Sequence, residues 1–289
     1  MSVTELRNAP GTGEIYRRAV RGLVPGLGGR RRAALPEREL VLRGVAVDRA
    51  HLARYDRVCG FRLTDALPAT YPHVLAFPLA MRLMSEPGFP FPVVGLVHVG
   101  NRIEQLRPID AAERLDLSVR AVDLRPHHRG RQFDLLATAT VDGEPVWRGV
   151  STYLRIDPAA ATRAKRVARP DGASDDRPPR AGSAVWRVPT TVGTDYAGVS
   201  GDHNPIHTSR LGARLFGFPR PIAHGMWSKA RCLAALEGRL PAAYTVDVAF
   251  KLPVLLPATV AFSATPSWDF ALHGARSGKR HLTGTVRAG

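Results

Sequence analysis

At 289 residues, 44% hydrophobic and 23% charged, the chain has the profile of a soluble globular protein with room for one large domain or two of ordinary size. No run of about 18 apolar residues occurs, and no continuous apolar stretch lies near the basic N-terminus; neither a transmembrane helix nor a secretory signal is expected, and a cytoplasmic location is expected. The net charge is +16, but only four of 41 basic residues are lysine and the arginines are scattered, so the charge reads as codon bias or attraction for an anionic partner, not as nucleic-acid binding.

Along the first half, YDRVCG at 55–60 precedes a helical stretch, PLAMRLMSE at 78–86. Three β-rich runs follow, at 93–106, 115–124 and 133–156, the last with Asp142-Gly143 between two strand-like pieces, a hairpin signal. Residues 157–183 have no apolar periodicity and are rich in Pro, Ala, Gly and charge, the composition of a linker. Beyond it come YAGVSG at 196–201, a polar cluster, a helical stretch within 226–240 and further β-rich runs at 244–252, 258–267 and 281–288. Cys59 and Cys232 lack metal or redox spacing and read as reduced, buried thiols.

The halves echo each other. YDRVCG and YAGVSG are 141 residues apart, while VGNRIEQLRP at 99–108 and VAFKLPVLLP at 248–257 are 149 apart. The difference predicts eight extra residues in the second half, close to the polar cluster. A helix with an antiparallel meander, twice over, is an α+β architecture.

That cluster is Asp202, His203, Asn204 and His207. A five-residue separation brings Asp202 and His207 together in neither a strand nor a helix. Pro205 between them favours a turn or first helical position, where both side chains could face one point. A carboxylate and an imidazole around a water form a general acid–base pair; equally, Asp202 or Asn204 could be an ordinary N-cap. Downstream, GFPRPIAHGMW at 217–227 puts Gly225 at a helix entry, where its N–H would point outward and stabilise a developing oxyanion, or where glycine merely suits packing. His224 reads as a packing histidine beside it.

Tyr196, Ser200-Gly201-Asp202, Asn204-Pro205-Ile206-His207, Gly217-Phe218 and Pro221-Ile222-Ala223-His224-Gly225-Met226 together resemble the MaoC-like, (R)-specific enoyl-thioester hydratases, a family with the hotdog fold. More loosely, the whole chain resembles the two-hotdog 3-hydroxyacyl-thioester dehydratases. The resemblance implies a double hotdog: a degenerate N-terminal unit at 1–156, the 157–183 linker, and a catalytic unit at 184–289. It implies that Asp202 and His207 activate a water and that the Gly225 N–H receives the thioester oxygen. Asn204, Ser200, Tyr196, Ile222 and His224 would line the substrate site, and neither metal nor cofactor is expected. The substrate handle would be coenzyme A or an acyl carrier protein, with Arg214, Arg220, Lys229 and Arg231 near its phosphates or acidic surface; a homodimer is compatible. A non-catalytic acyl-thioester-binding protein is the rival reading. In the first half, Phe61, Leu63, Ala66 and Ala76 stand where Asp202, Asn204, His207 and Gly225 are expected, so that half should lack the chemistry and leave apolar room for an acyl tail.

Overall fold

The structure is a computed structural model, and it describes residues 2–11, 13, 33–160, 162 and 184–289. Most of the expected linker therefore lies outside the described residues. Strands β1 (Ser2–Leu6) and β2 (Arg38–Ala46) lead into helices α1 (Arg49–Cys59) and α2 (Tyr71–Met84). Strands β3 (Leu96–Gln105), β4 (Arg114–His127), β5 (Gly130–Val141) and β6 (Glu144–Ile156) complete the first half. The second half holds β7 (Ala184–Val188), α3 (Val192–Ser200), α4 (Pro205–Thr208), α5 (Arg210–Leu215) and α6 (Gly225–Ala234), then β8 (Tyr244–Phe250), β9 (Ala258–Ala264), β10 (Asp269–Gly274) and β11 (Arg280–Ala288).

The eleven strands of the described residues form one sheet, ordered β1-β2-β4-β5-β6-β3-β8-β11-β10-β9-β7. Leaving β1 aside, that order reads the same from either end once β2 is matched with β7, β4 with β9, β5 with β10, β6 with β11 and β3 with β8. The halves meet where β3 pairs antiparallel with β8, from Gly100 opposite Ala249 to Gln105 opposite Tyr244. The strands form for recognisable reasons. In β4, Leu115, Leu117, Val119 and Ala121 alternate inward and are buried. The hairpin at Asp142-Gly143 is present, with both residues at positive φ (50° and 86°), the conformation that a tight two-residue turn demands.

Each half has a helix that the apolar periodicity did not reveal. These are α1 and α3, and they carry the YDRVCG and YAGVSG segments. Asp48 caps α1 by accepting from the Ala50 and His51 N–H groups, and α1 and α3 both end on a left-handed glycine, Gly60 and Gly201. Tyr55 and Tyr196, equivalent in the two segments, face each other with ring centroids 6.3 Å apart. One continuous apolar core runs beneath both halves.

The repeat register differs from the one read in sequence. In the first half, the Leu67 N–H donates to the Ile109 carbonyl and the Ala111 N–H to the Asp65 carbonyl. In the second, the Ala223 N–H donates to the Val254 carbonyl and the Leu256 N–H to the Pro221 carbonyl. Residues 65–67 thus match 221–223, and 109–111 match 254–256, offsets of 156 and 145 where the sequence suggested a single step to 149. Five positions separate Gly60 from Asp65, and twenty separate Gly201 from Pro221. The second half therefore carries fifteen extra residues there, not eight, and they supply α4 and α5. His207 has no first-half counterpart, Ala66 matches Ile222 through their corresponding β-bridges, and Gly225 matches Ala69 instead of Ala76. Nor do Phe61, Leu63 and Ala66 line a common apolar space. Leu63 and Ala66 face solvent, and Phe61 lies against Tyr55 with ring centroids 6.3 Å apart.

Candidate active site

The site is built on the insertion. Helix α3 stops at Gly201 (φ 74°), and the chain turns sharply. The Ser200 hydroxyl accepts from the Asp202 N–H (3.2 Å), and the Asp202 carboxylate accepts from the Asn204 N–H (3.2 Å). Asn204 then caps α4, its side-chain oxygen accepting from the Ile206 N–H (3.3 Å), with Pro205 at the first helical position. The capping role left open between Asp202 and Asn204 therefore falls to Asn204.

Two contacts hold α4. The Ile222 N–H donates to the Ile206 carbonyl (3.1 Å), and His207 Nδ1 lies 2.7 Å from the Ile222 carbonyl. A carbonyl only accepts, so Nδ1 carries the proton and Nε2 keeps its lone pair. Beneath His207, its own carbonyl would lie 2.0 Å from a Cβ at Gly193 of α3, so only glycine lets the two segments approach this closely.

His224 stacks on His207, with centroids 3.6 Å apart and planes at 25°, and its Nε2 lies 2.9 Å from the Asp202 carbonyl and 3.8 Å from the Asp202 carboxylate. The same reasoning puts its proton on Nε2, leaving a buried Nδ1 without a hydrogen-bond partner. Asp202, His207 and His224 present donor atoms all within 4.8 Å of one another, a set that could in principle hold a metal. Their geometry fits one poorly. Imidazole lone pairs lie in the ring plane, and a metal about 2.1 Å from both stacked rings would sit well out of both planes.

Helix α6 begins at Gly225, and its first intrahelical bond runs from the Ser228 N–H to the His224 carbonyl (3.1 Å). The Gly225 N–H precedes that ladder and sits at the positive end of the helix dipole. A Cβ at Gly225 would meet ring carbons of Phe250 at 3.1–3.2 Å. The other residues expected to line the site are less open. Tyr196, Ser200, Ile222 and His224 are all buried. Tyr196 packs on His224 (4.9 Å between centroids), Ser200 steadies the Asp202 turn, and Ile222 orients His207 through its carbonyl. Of the four basic residues noted near the motif, Arg214 is exposed and Arg220 half-buried. Lys229 is wholly buried, and Arg231 stacks on Trp186 at 4.3 Å, so neither is placed to meet a phosphate.

The first half contributes a wall that sequence reasoning missed. His73 on α2, His98 on β3 and Tyr153 on β6 all lie within electrostatic reach of Asp202. The His98 ring stacks on Tyr153 (4.7 Å) and tilts against Phe250 (4.9 Å), the ring that covers Gly225. A polar residue two places from Leu96, on the same side of a strand that is largely apolar there, was the available signal.

Burial keeps these imidazoles neutral. It is the leading cause of a lowered pKa at His207, and it takes His73 to about 4 and His98 and His224 to about 3; the Asp202 charge opposes the shift at all four. In the unfolded chain each would titrate near 6.5. As pH falls below that value, the unfolded state takes up protons that the folded state refuses, so stability is lost toward acid. Thermal unfolding followed from about pH 7.5 to about pH 4.5 is expected to show a melting temperature that drops through the lower part of that range. A flat profile would contradict four neutral histidines, of which His207 and His224 are buried and His73 and His98 half-buried.

Comparison with known proteins gives the family of the chain. A family model described as the MaoC-like domain matches residues 177–271. The 3-hydroxyacyl-thioester dehydratase X of Mycobacterium tuberculosis is 39% identical over 256 residues, covering 88% of this chain and 90% of that protein. The crystal structure of HtdX from the same organism superposes with a TM-score of 0.76 at 38% identity, over 87% of this chain and 100% of that one. A MaoC-like dehydratase from Phytophthora capsici shares the fold, with a TM-score of 0.64 at 19% identity over 87% of this chain and 95% of that one.

Proposed function

The chain belongs to the MaoC-like family of 3-hydroxyacyl-thioester dehydratases, and from that premise we propose that Asp202 and His207 activate one water for the reversible hydration of trans-2-enoyl thioesters to (R)-3-hydroxyacyl thioesters. The protein is thus a hydro-lyase of fatty-acid metabolism with an α+β double-hotdog fold. The observation that carries the assignment of roles is the fixed tautomer of His207. Its Nδ1–H is committed to the Ile222 carbonyl, so a neutral Nε2 beside the Asp202 carboxylate is left to take a proton from water.

In the hydration direction the thioester carbonyl accepts from the Gly225 N–H. Water oxygen bonds to C3 while its proton passes to the acid–base pair. The C2–C3 π electrons move toward the carbonyl as an enolate, which the Gly225 N–H and the helix dipole stabilise. Delivery of a proton to C2 completes the addition, so one water is added across the double bond. Dehydration runs the same path backward. No electron transfer occurs, and hydrogen bonds suffice for the enolate, so the reading includes neither metal nor redox cofactor. Asn204, Ser200, Tyr196, Ile222 and His224 act by holding this geometry.

In the same reading, residues 1–156 and 184–289 are two hotdog units, with chemistry confined to the second because only it carries the fifteen-residue insertion. In this reading the exposed Arg214 and the half-buried Arg220 would meet the phosphates of a CoA handle or the surface of an acyl carrier protein. Cys59 and Cys232 are buried free thiols whose pKa values burial raises, which supports a reducing, cytoplasmic setting. Loss of the enoyl-thioester absorbance band tests the function, using trans-2-enoyl-CoA substrates of several chain lengths and their carrier-protein counterparts. Loss of the band with at least one substrate is expected; no turnover with any would overturn the reading.

A further inference from the structure

The chemistry above makes no use of Lys229, the only lysine buried among the described residues, with a relative exposure of 0%. It stands four residues after Gly225 on α6, about 6 Å of helix rise away, and helical side chains lean back toward the N-terminus. Its Nζ donates to the Asn101 carbonyl (3.0 Å), the Asn101 side-chain oxygen (2.6 Å) and the Val246 carbonyl (3.3 Å). Asn101 in turn donates to the Ser151 hydroxyl (3.0 Å).

Among the described residues, these three oxygens are its hydrogen-bond partners. An ammonium has three N–H groups to give them. A neutral amine has two, and its lone pair would face a carbonyl oxygen. The contacts therefore favour the charged form against the burial that draws its pKa well below the usual lysine value. None of the three is a carboxylate; the Asp247 carboxylate also attracts the ammonium, but it is itself paired with Arg102 (2.9 Å), so the charge is solvated by dipoles and only partly offset. Its field also extends beyond its contacts, since Lys229 helps to depress both His73 and His98, the two imidazoles that also feel Asp202. The seam between the halves ties it to the oxyanion turn. Strand β8 supplies both the Val246 carbonyl that binds Lys229 and the Phe250 ring that covers Gly225.

We propose that Lys229 is a positioning residue for the reaction: a buried cation, held by Asn101 across the seam, that biases the Gly225 turn electrostatically toward the enolate. The proposal rests on the dehydratase reading above. It accounts for a cation in the core where a methionine of similar length would pack without desolvation cost. A net positive charge near Gly225 stabilises the enolate more than the neutral substrate, so it acts on kcat and leaves KM nearly untouched.

The test is Asn101→Asp, which keeps the size of the side chain and its contact with Lys229. Whether the new pair is ionic or shares its proton as a neutral acid and amine, the site loses its net positive charge. At an effective dielectric near 20, loss of a unit charge within about 12 Å of the enolate lowers kcat for enoyl-CoA hydration on the order of 10-fold, with KM within about 3-fold. Lys229→Met should lose kcat to a similar extent. A spectroscopic arm uses the wild-type protein. Bound acetoacetyl-CoA, whose enolate absorbs in the near ultraviolet, should show a larger enolate fraction at neutral pH than the free compound, and folded Asn101→Asp should lose that excess. The proposal is overturned if folded Asn101→Asp keeps wild-type kcat, even where Lys229→Met loses it, because Lys229 would then act through packing alone. It is also overturned if bound acetoacetyl-CoA is no more enolised than free. Wild-type protein that fails to hydrate any enoyl thioester would instead sink the dehydratase reading.

Discussion

Asp202→Asn is expected to lose 10²–10⁴-fold in enoyl-thioester turnover while melting close to the wild-type temperature, since general acid–base catalysis contributes roughly that factor. The small structural cost follows from the local bonding. Asn204 caps α4, so Asp202 is not the cap, and an asparagine oxygen at 202 can still accept from the Asn204 N–H. Loss of stability should stay near 1 kcal/mol, the usual scale for a single substitution of this kind. His207→Ala should lose a comparable factor in rate but more stability, because it also deletes the bond to the Ile222 carbonyl and the ring stacked on His224. The two rate losses should not add in the double variant, since both groups serve one water. Turnover and thermal unfolding of all four proteins check this. If Asp202→Asn turned over like wild type, the turn would be purely structural.

Gly193→Ala is expected to damage both fold and rate through a residue that carries no chemistry. Its Cβ would fall 2.0 Å from the His207 carbonyl oxygen and 3.0 Å from the carbonyl carbon, and both are backbone atoms. A backbone cannot swing aside as a side-chain tip can, so α3 and α4 must separate. Overpacking of this kind costs roughly 1–3 kcal/mol, and a shift of about 1 Å in a reacting group can cost on the order of 100-fold in rate. Gly198→Ala, five residues along the same helix, is the control. Nothing lies within 4 Å of its Cβ, and it should be neutral or stabilising by about 0.5–1 kcal/mol. Equal stability and turnover for the two variants would show that the tight approach of α3 to His207 does not matter.

Much of the site was legible because it is local. Gly201, Asp202, Asn204 and Pro205 form a turn from contacts no more than two residues apart, and each residue type carries its conformational preference wherever it stands. The Asp142-Gly143 hairpin and the alternation along β4 were legible for the same reason. The helices α1 and α3 were not, although Leu52, Tyr55 and Cys59, and Val192, Tyr196 and Val199, recur at helical spacing: Asp56 interrupts the first stripe and small residues (Gly193, Ala197, Ser200) fill the second. The repeat register was misjudged because YDRVCG and YAGVSG fix it only on one side of the insertion. Aligning residues beyond that point requires the hydrogen bonds that match Leu67 with Ala223 and Ile109 with Val254.

The sequence by itself supplied the groups of the proposed chemistry: a carboxylate, an imidazole and a glycine amide at spacings that one turn and one helix entry can bring together. Only the tertiary structure decided the states of those groups. The His207 tautomer depends on a carbonyl fifteen residues away, and the neutrality of His73, His98 and His224 on desolvation by the side chains packed around them. Lys229 looked like a surface cation and lies in the core, held by an asparagine 128 positions earlier in the chain. Conformational preference travels with a residue, whereas desolvation and long-range hydrogen bonding belong to the place where packing puts it.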